Sequence, residues 1–126
     1  MANPIYGSNK ADGELAKICD VSSFQAEYTE TAVVDSKVIR CLELNHATVV
    51  IAITGMQGKD YAGQMVCVKD TSASGTANHL VTLSSGTWDG TSTIVTFNAP
   101  NEAVFVFFDS AGNGTIVENA NGAVFS

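Results

Sequence analysis

Short runs of β-branched and aromatic residues follow one another along most of this chain, and turn-forming residues separate each run from the next. The clearest runs cover residues 64–70, 79–83, 93–97 and 103–108. Gly, Asn, Asp and Pro stand between them, and these residues end strands and form turns. No long stretch keeps the apolar period of a helix. The pattern predicts an all-β fold, either a small β-sandwich or a barrel of about eight short strands.

Three local patterns make more detailed predictions. Residues 32–44 form a further apolar run, predicted as one strand. Residues 47–54 are almost continuously apolar and β-branched, which predicts a strand buried on both faces. Asn121-Gly122 separates the short runs 115–118 and 123–125. Asn and Gly tolerate positive φ angles, so this pair predicts a two-residue hairpin turn between the last two strands.

Residues 1–30 differ from the rest of the chain, because they are rich in Asn, Gly, Asp, Glu and Ala and their apolar side chains keep no firm period. We therefore predict an N-terminal arm over residues 1–30 and a β-sandwich domain over residues 31–126. The apolar side chains of the arm have no core of their own, so we expect the arm to dock on a partner. The alternative is that the arm packs along its own sandwich. The residues expected to contact the partner are Ile5, Tyr6, Lys10, Leu15, Lys17 and Ile18.

The charge of the chain argues against several classes of partner. The net charge is −7 and only six residues are Lys or Arg, which disfavours binding to nucleic acid. The apolar runs are far shorter than the ~20 residues of a membrane-spanning helix. The N-terminus lacks the basic and apolar regions of a signal peptide, so we expect synthesis in a reducing cytoplasm. All six basic residues lie at or before Lys69. This asymmetry arises either by chance or because the two halves of the chain face different surroundings.

The residue types that often serve in catalysis or metal binding do not occur in the sequence patterns that those functions require. His46 and His79 lack a catalytic or zinc-binding spacing and are predicted to be surface or sheet histidines. Residues 55–60 lack the pattern of a phosphate loop, and residues 109–114 that of a calcium loop, so both are predicted to be turns. The sequence therefore predicts no catalytic residue, no metal site and no cofactor, and indicates that the protein is not an enzyme.

The cysteines and two aromatic residues have structural interpretations too. Cys19, Cys41 and Cys67 are odd in number and widely spaced, so we expect reduced and mostly buried thiols. Trp88 and Tyr61 form either a sugar-stacking platform or part of the core, and a single Trp in a small β-domain favours the core.

A distinctive succession of motifs runs through residues 62–118. It consists of a strand ending in Lys69-Asp70, a small-residue loop to Ala77, the strand Val81-Thr82-Leu83, the turn Gly86-Thr87-Trp88-Asp89-Gly90 and an apolar strand before Asp109. This succession resembles a β-module that recurs in structural proteins of tailed bacteriophages, both in fibre and spike ends and in small proteins that decorate the head. Such modules often place an aromatic residue after the last glycine turn, where this chain has Gly114-Thr115-Ile116.

The resemblance implies a structural virion protein. A short acidic chain without a fibrous repeat looks most like a capsid decoration (cement) protein, which binds the outer surface of a tailed-phage head and stabilises it. The implied partners are the major capsid protein and either a second copy of this chain or another decoration protein, and the implied location is the capsid surface. The alternative is a fibre, spike or adhesin-like module that recognises a host surface glycan, for which Trp88 and Tyr61 would supply the platform.

Overall fold

Alternation of buried and exposed side chains organises the chain into strands, because successive side chains of a strand point to opposite faces. The computed structural model describes residues 24–126. One 3₁₀ helix, η1, covers Gly58–Tyr61. The strands of the described range are β1 (Gln25–Tyr28), β2 (Ala32–Val33), β3 (Cys41–Leu44), β4 (Ala52–Gln57), β5 (Met65–Asp70), β6 (His79–Ser85), β7 (Ile94–Phe97), β8 (Ala103–Phe108), β9 (Gly114–Ala120) and β10 (Val124–Phe125).

The strands form two mixed sheets that pack face to face as a sandwich. The first sheet has the order β1-β3-β5-β8-β9, and the second has the order β10-β7-β6-β4-β2. From β1 to β6 the chain alternates between the sheets, so that β1, β3 and β5 are parallel neighbours, as are β2, β4 and β6. Parallel strands need a long crossover. Here a strand of the opposite sheet provides each crossover, where many folds use a helix.

The all-β prediction is confirmed, and the two separate sheets make the fold a sandwich. Residues 24–126 contain ten strands, because the predicted run 32–44 divides into β2 and β3 and because β1 lies inside the range predicted for the arm. β1 pairs with β3 along its whole length, so residues 25–28 belong to the sandwich. Part of the range predicted for the arm is therefore a strand of the first sheet. Gln25-Ala26-Glu27-Tyr28 alternates polar and apolar residues, but four residues are too few to identify a strand on their own.

Two local predictions are wrong. Residues 47–50 are an exposed loop, and β4 has exposed positions at Thr54 and Gln57 instead of being buried on both faces. Asn121 and Gly122 do have positive φ angles, +67° and +92°. They join no hairpin, however, because β9 pairs with β8 in the first sheet and β10 pairs with β7 in the second. The Asn119 side chain closes this crossing by donating to and accepting from the backbone of Ala123.

An aromatic cluster fills one end of the core. Trp88, Tyr61 and Phe108 are almost completely inaccessible to solvent. The rings of Trp88 and Phe108 lie 5.6 Å apart, and those of Tyr61 and Phe108 lie 6.1 Å apart. Trp88 Nε1 donates to the Val81 carbonyl at 3.2 Å, so its polar atom is satisfied. Trp88 is therefore a core residue, as the sequence indicated, and with Tyr61 it forms no surface platform.

His79 is a buried sheet histidine, in agreement with its prediction. Its Nδ1 accepts the Ile51 backbone N–H at 3.0 Å, and its Nε2 lies 2.9 Å from the His46 carbonyl. The first contact requires Nδ1 without hydrogen and the second requires Nε2 with hydrogen, which assigns the neutral tautomer. His46 in turn accepts the backbone N–H groups of Thr48 and Val49. The two histidines thus order the loop that leads into β4.

Three loops meet at the end of the sandwich near η1, and glycine permits their close approach. A Cβ atom on Gly86 would lie 2.1 Å from the Gly112 carbonyl oxygen, and one on Gly58 would lie 2.0 Å from the same oxygen. Both distances are impossible for real atoms, so the contact requires glycine at these positions.

Gly86 and Gly90 offer a matched test of this close approach. Their φ angles are +87° and +94°, but a Cβ on Gly90 would meet open space. Gly90→Ala should therefore cost only the strain of a left-handed residue, about 1–2 kcal/mol. Gly86→Ala adds a backbone clash, and we expect it to reduce the free energy of unfolding by about 2 kcal/mol more. Urea denaturation of both variants measures the difference, and equal losses would contradict the close approach.

The turn between β6 and β7 depends on the Asp89 carboxylate. Burial opposes ionisation, but hydrogen bonds from Ser92 and Thr91 outweigh it and lower the pKa of Asp89 below its ordinary value. The ionised Asp89 carboxylate therefore stabilises the folded protein fully above the pKa of an unfolded aspartate, which is about 4. This stabilisation is lost as pH falls through the lower pKa of the folded state. We expect Asp89→Asn to lower the thermal midpoint at neutral pH, and the difference from the wild type to shrink below about pH 4. A difference that stays constant with pH would refute this assignment.

Candidate functional site

The residues predicted to contact a partner all lie outside the described part of the structure. Ile5, Tyr6, Lys10, Leu15, Lys17 and Ile18 precede residue 24. Their proposed role therefore stays a prediction. The described residues offer a second candidate for partner contact, on the side of the first sheet that faces away from the core.

This apolar outer face is built by cross-strand pairs on β5 and β8. Met65 lies opposite Phe107, and Cys67 lies opposite Phe105. The intervening residues of both strands, such as Val66 and Val106, point into the core and are fully buried. Cys41 continues the face onto β3, where it lies opposite Cys67. We use the name apolar outer face for Cys41, Met65, Cys67, Phe105 and Phe107.

Solvent reaches large side chains on this face. Met65 is 47% exposed and Phe107 is 42% exposed. Val117, the unpaired residue at the bulge between β8 and β9, is exposed as well. Single exposed apolar residues are common, but neighbouring ones that form a continuous patch indicate an interaction surface.

The outer face of the second sheet has a different character. Its cross-strand pairs on β6 and β7 are Leu80 with Thr96 and Thr82 with Ile94, so each pair includes a hydroxyl. All four of these side chains are only partly exposed. The two sheets therefore present unlike surfaces. The first exposes the large side chains of Met65 and Phe107, whereas the exposed apolar side chains on the strands of the second are the smaller Val33 and Val124.

Charged groups border the apolar outer face on two sides. The next row of the sheet places Glu27 opposite Glu43 and Glu43 opposite Lys69. Glu118 lies opposite Phe105 on β9. A partner that covers the face would therefore meet an apolar centre with a mostly acidic border, which is the usual arrangement of a protein interface.

Basic side chains gather elsewhere, around η1. Lys37 contacts Asp60 at 3.6 Å, and the Arg40 guanidinium lies 5.2 Å from the centre of the Tyr61 ring. Lys59 belongs to η1 itself. Within residues 24–126, the first six strands alternate between the sheets, so the asymmetry of charge along the sequence does not assign the basic residues to one sheet and the acidic residues to the other.

The prediction of buried thiols is wrong for Cys41 and Cys67. Both are free thiols and only half-buried, because they lie on the outer face and not in the core. Burial raises the pKa of the Cys67 thiol to about 11, and the neighbouring Cys41 thiol contributes to this rise. Cys19 lies outside the described residues.

Buried acidic groups in the described range close turns. Asp70 Oδ1 accepts the backbone N–H of Ser72 at 3.0 Å and its hydroxyl at 2.5 Å. Glu102 Oε1 accepts the Asn98 backbone N–H at 2.7 Å. Between residues 24 and 126, no group of three or more His, Cys, Asp and Glu residues is placed to hold a metal ion. No helix within that range is long and apolar enough to span a membrane.

Part of the apolar outer face could be predicted from the sequence. Alternation in residues 64–70 separates Met65 and Cys67 from Val66 and Val68, but it does not tell which pair faces the core. In residues 103–108 nearly every position is apolar, so alternation gives no signal at all. The pairing of β5 with β8 decides the matter, and the sequence does not contain it.

Comparison with known proteins returned no relatives. No protein-family model, no curated protein and no solved structure matches this chain. The assignment of a function therefore depends on the chain's own residues and on their arrangement.

The raised pKa of Cys67 predicts slow chemistry at this thiol. In the folded protein, alkylation of Cys67 by iodoacetamide should be slow at about pH 8, because the thiolate is the reactive form. The rate should rise steeply as pH approaches 11. Peptide mass spectrometry after timed labelling measures the rate, and the chain unfolded in urea is the control. Equal rates in the folded and unfolded protein at about pH 8 would contradict the prediction.

Proposed function

We propose that this chain is a structural virion protein, a decoration (cement) protein that binds the outer surface of a tailed-phage capsid and stabilises it. The observation that carries the proposal is the apolar outer face, in which Met65, Phe105 and Phe107 form a continuous surface on a rigid sheet. The motifs of residues 62–118 and their resemblance to phage structural modules supply the class of partner. The capsid surface is the proposed location, and the major capsid protein is the proposed partner.

The fold suits a protein that acts by binding alone. The apolar outer face lies on the same strands that fill the core with Val66, Val68, Val104 and Val106, so its backbone is fixed before any partner arrives. A preformed surface loses little conformational entropy on binding. The function requires no catalytic group, since a decoration protein stabilises a shell by adding contacts across it.

The N-terminal arm supplies a second attachment in this proposal. Ile5, Tyr6, Leu15 and Ile18 are apolar, and burying each against the shell or a neighbouring subunit would contribute roughly 1.5–3 kcal/mol. Lys10 and Lys17 would pair with acidic groups on the partner, at about 0–1 kcal/mol per exposed pair. Two linked attachments bind more tightly than either alone, because the second contact forms within the same complex.

The glycan-binding alternative loses its main support. It relied on Trp88 and Tyr61 as an exposed platform, and both side chains are buried against Phe108. The exposed aromatic residue of the described range that remains is Phe107, whose neighbours Met65 and Phe105 are apolar. Sugar recognition needs polar groups beside the ring.

Binding to undecorated capsids tests the proposal. Purified protein is mixed with phage heads that lack it, and the bound fraction is measured by co-sedimentation. We expect the wild type to co-sediment. Phe107→Lys should lower the affinity by about tenfold or more, because it places a charge in the apolar centre of the contact.

Val124→Lys is the matched control. Val124 is 48% exposed and belongs to β10 of the other sheet, so its substitution introduces the same charge at similar exposure. This variant should bind like the wild type. Failure of the wild type to co-sediment would refute the proposal, and equal losses for both variants would refute the role of the apolar outer face. Thermal unfolding of each variant confirms that it is folded.

A further inference from the structure

Cys41 and Cys67 occupy directly opposed positions on neighbouring parallel strands. The register places Cys41 beside Cys67, and the Cys67 backbone N–H donates to the Arg40 carbonyl at 2.7 Å, which fixes the alignment. Both side chains lie on the outer face of the first sheet and are half-buried. The two thiols are therefore neighbours that small reagents in solution can reach.

We propose that Cys41 and Cys67 are a redox site, which a low-molecular-weight disulfide such as oxidised glutathione converts to a reversible cross-strand disulfide. This inference concerns the chain itself and does not depend on the proposed function.

The reaction consists of two thiol–disulfide exchanges. The Cys41 thiolate attacks one sulfur of oxidised glutathione, the bond between the two glutathione sulfurs breaks, and one glutathione thiolate leaves. Cys67 then loses its proton and attacks Cys41 Sγ, which releases the second glutathione. Two protein thiols are oxidised, one small disulfide is reduced to two thiols, and the two protons from the cysteines end on the two glutathione molecules.

The geometry allows a disulfide between Cys41 and Cys67, but the bond would be strained. Neighbouring strands are about 4.7–4.9 Å apart, and disulfides accept Cα separations of about 4.4–6.8 Å. The Cβ atoms must approach to about 3.5–4.5 Å, however, which requires two in-register strands to draw together. A disulfide under such strain is easily reduced, and exposed disulfides of this kind are the labile ones.

The environment of Cys67 sets the rate of the second exchange. Its raised pKa keeps the thiolate scarce near neutral pH, while a thiolate of high pKa is strongly nucleophilic once formed. We therefore expect closure of the disulfide to be slow at neutral pH and faster in mildly alkaline solution. The bond would link β3 to β5 and enclose β4, the strand of the opposite sheet through which the chain crosses between them.

The test uses the full-length protein with Cys19→Ser, which removes the third thiol. The folded protein is incubated with oxidised glutathione in mildly alkaline buffer and analysed by intact mass and peptide mapping. We expect a loss of about 2 Da and a peptide pair that joins Cys41 to Cys67. The midpoint of thermal unfolding should change little, because strain in the folded state offsets the restraint that the closed loop places on the unfolded chain.

The variant Cys67→Ser, also in the Cys19→Ser background, is the matched control. It should stop at a glutathione adduct on Cys41, because no second thiol displaces the adduct. An excess of reduced glutathione should restore both thiols in the parent protein. A disulfide that resists this treatment would refute the proposal that the bond is reversible. Two results would refute the proposal that Cys41 and Cys67 form a redox site. One is the accumulation of glutathione adducts on the parent protein without a disulfide between the two cysteines, and the other is thiols that react only after the protein unfolds.

Discussion

The burial of alternate side chains between two facing sheets is the interaction on which the rest of this structure depends. Every inward position on β5 and β8 except Asp70 is apolar and almost inaccessible, and the facing strands β4 and β6 contribute Ile53, Met56, Val81 and Leu83. Hydrophobic burial of this kind is the main favourable term in folding. Because a strand that fixes one face also fixes the other, packing Val66 and Val106 inward turns Met65 and Phe107 outward.

Because the first six strands alternate between the sheets, the connections between them cross the two ends of the sandwich. Each crossover passes over one end, so loops distant in sequence meet there and need close contacts. At the η1 end, backbone approaches backbone at Gly86 and Gly112. At the other end, His79 accepts from Ile51 and contacts the His46 carbonyl, which connects β6 to the loop before β4. Buried polar groups of this kind contribute because their partners are satisfied within the protein.

Local patterns in the sequence predicted what depends on local physics. β-branched runs and turn residues identified most strands, and Asn121-Gly122 correctly indicated positive φ angles. The failures concern long-range pairing. The alternation in Gln25–Tyr28 is too short to distinguish a strand from an arm until β3 lies beside it, and no local signal shows that β9 and β10 belong to different sheets. The apolar outer face is likewise a product of pairing, since it exists only when β5 and β8 are neighbours.

The apolar outer face has two proposed roles, partner binding and disulfide formation, and they require different behaviour of the strands that form it. Contact with a partner favours a surface whose side chains are held in place, and the buried halves of β5 and β8 provide that. A disulfide between Cys41 and Cys67 needs β3 and β5 to approach each other more closely than a relaxed sheet allows. The core beneath them, with Leu42 opposite Val68, resists such movement because both side chains are fully packed. The rigidity that makes the face suitable for binding is thus what would keep the disulfide strained and reversible.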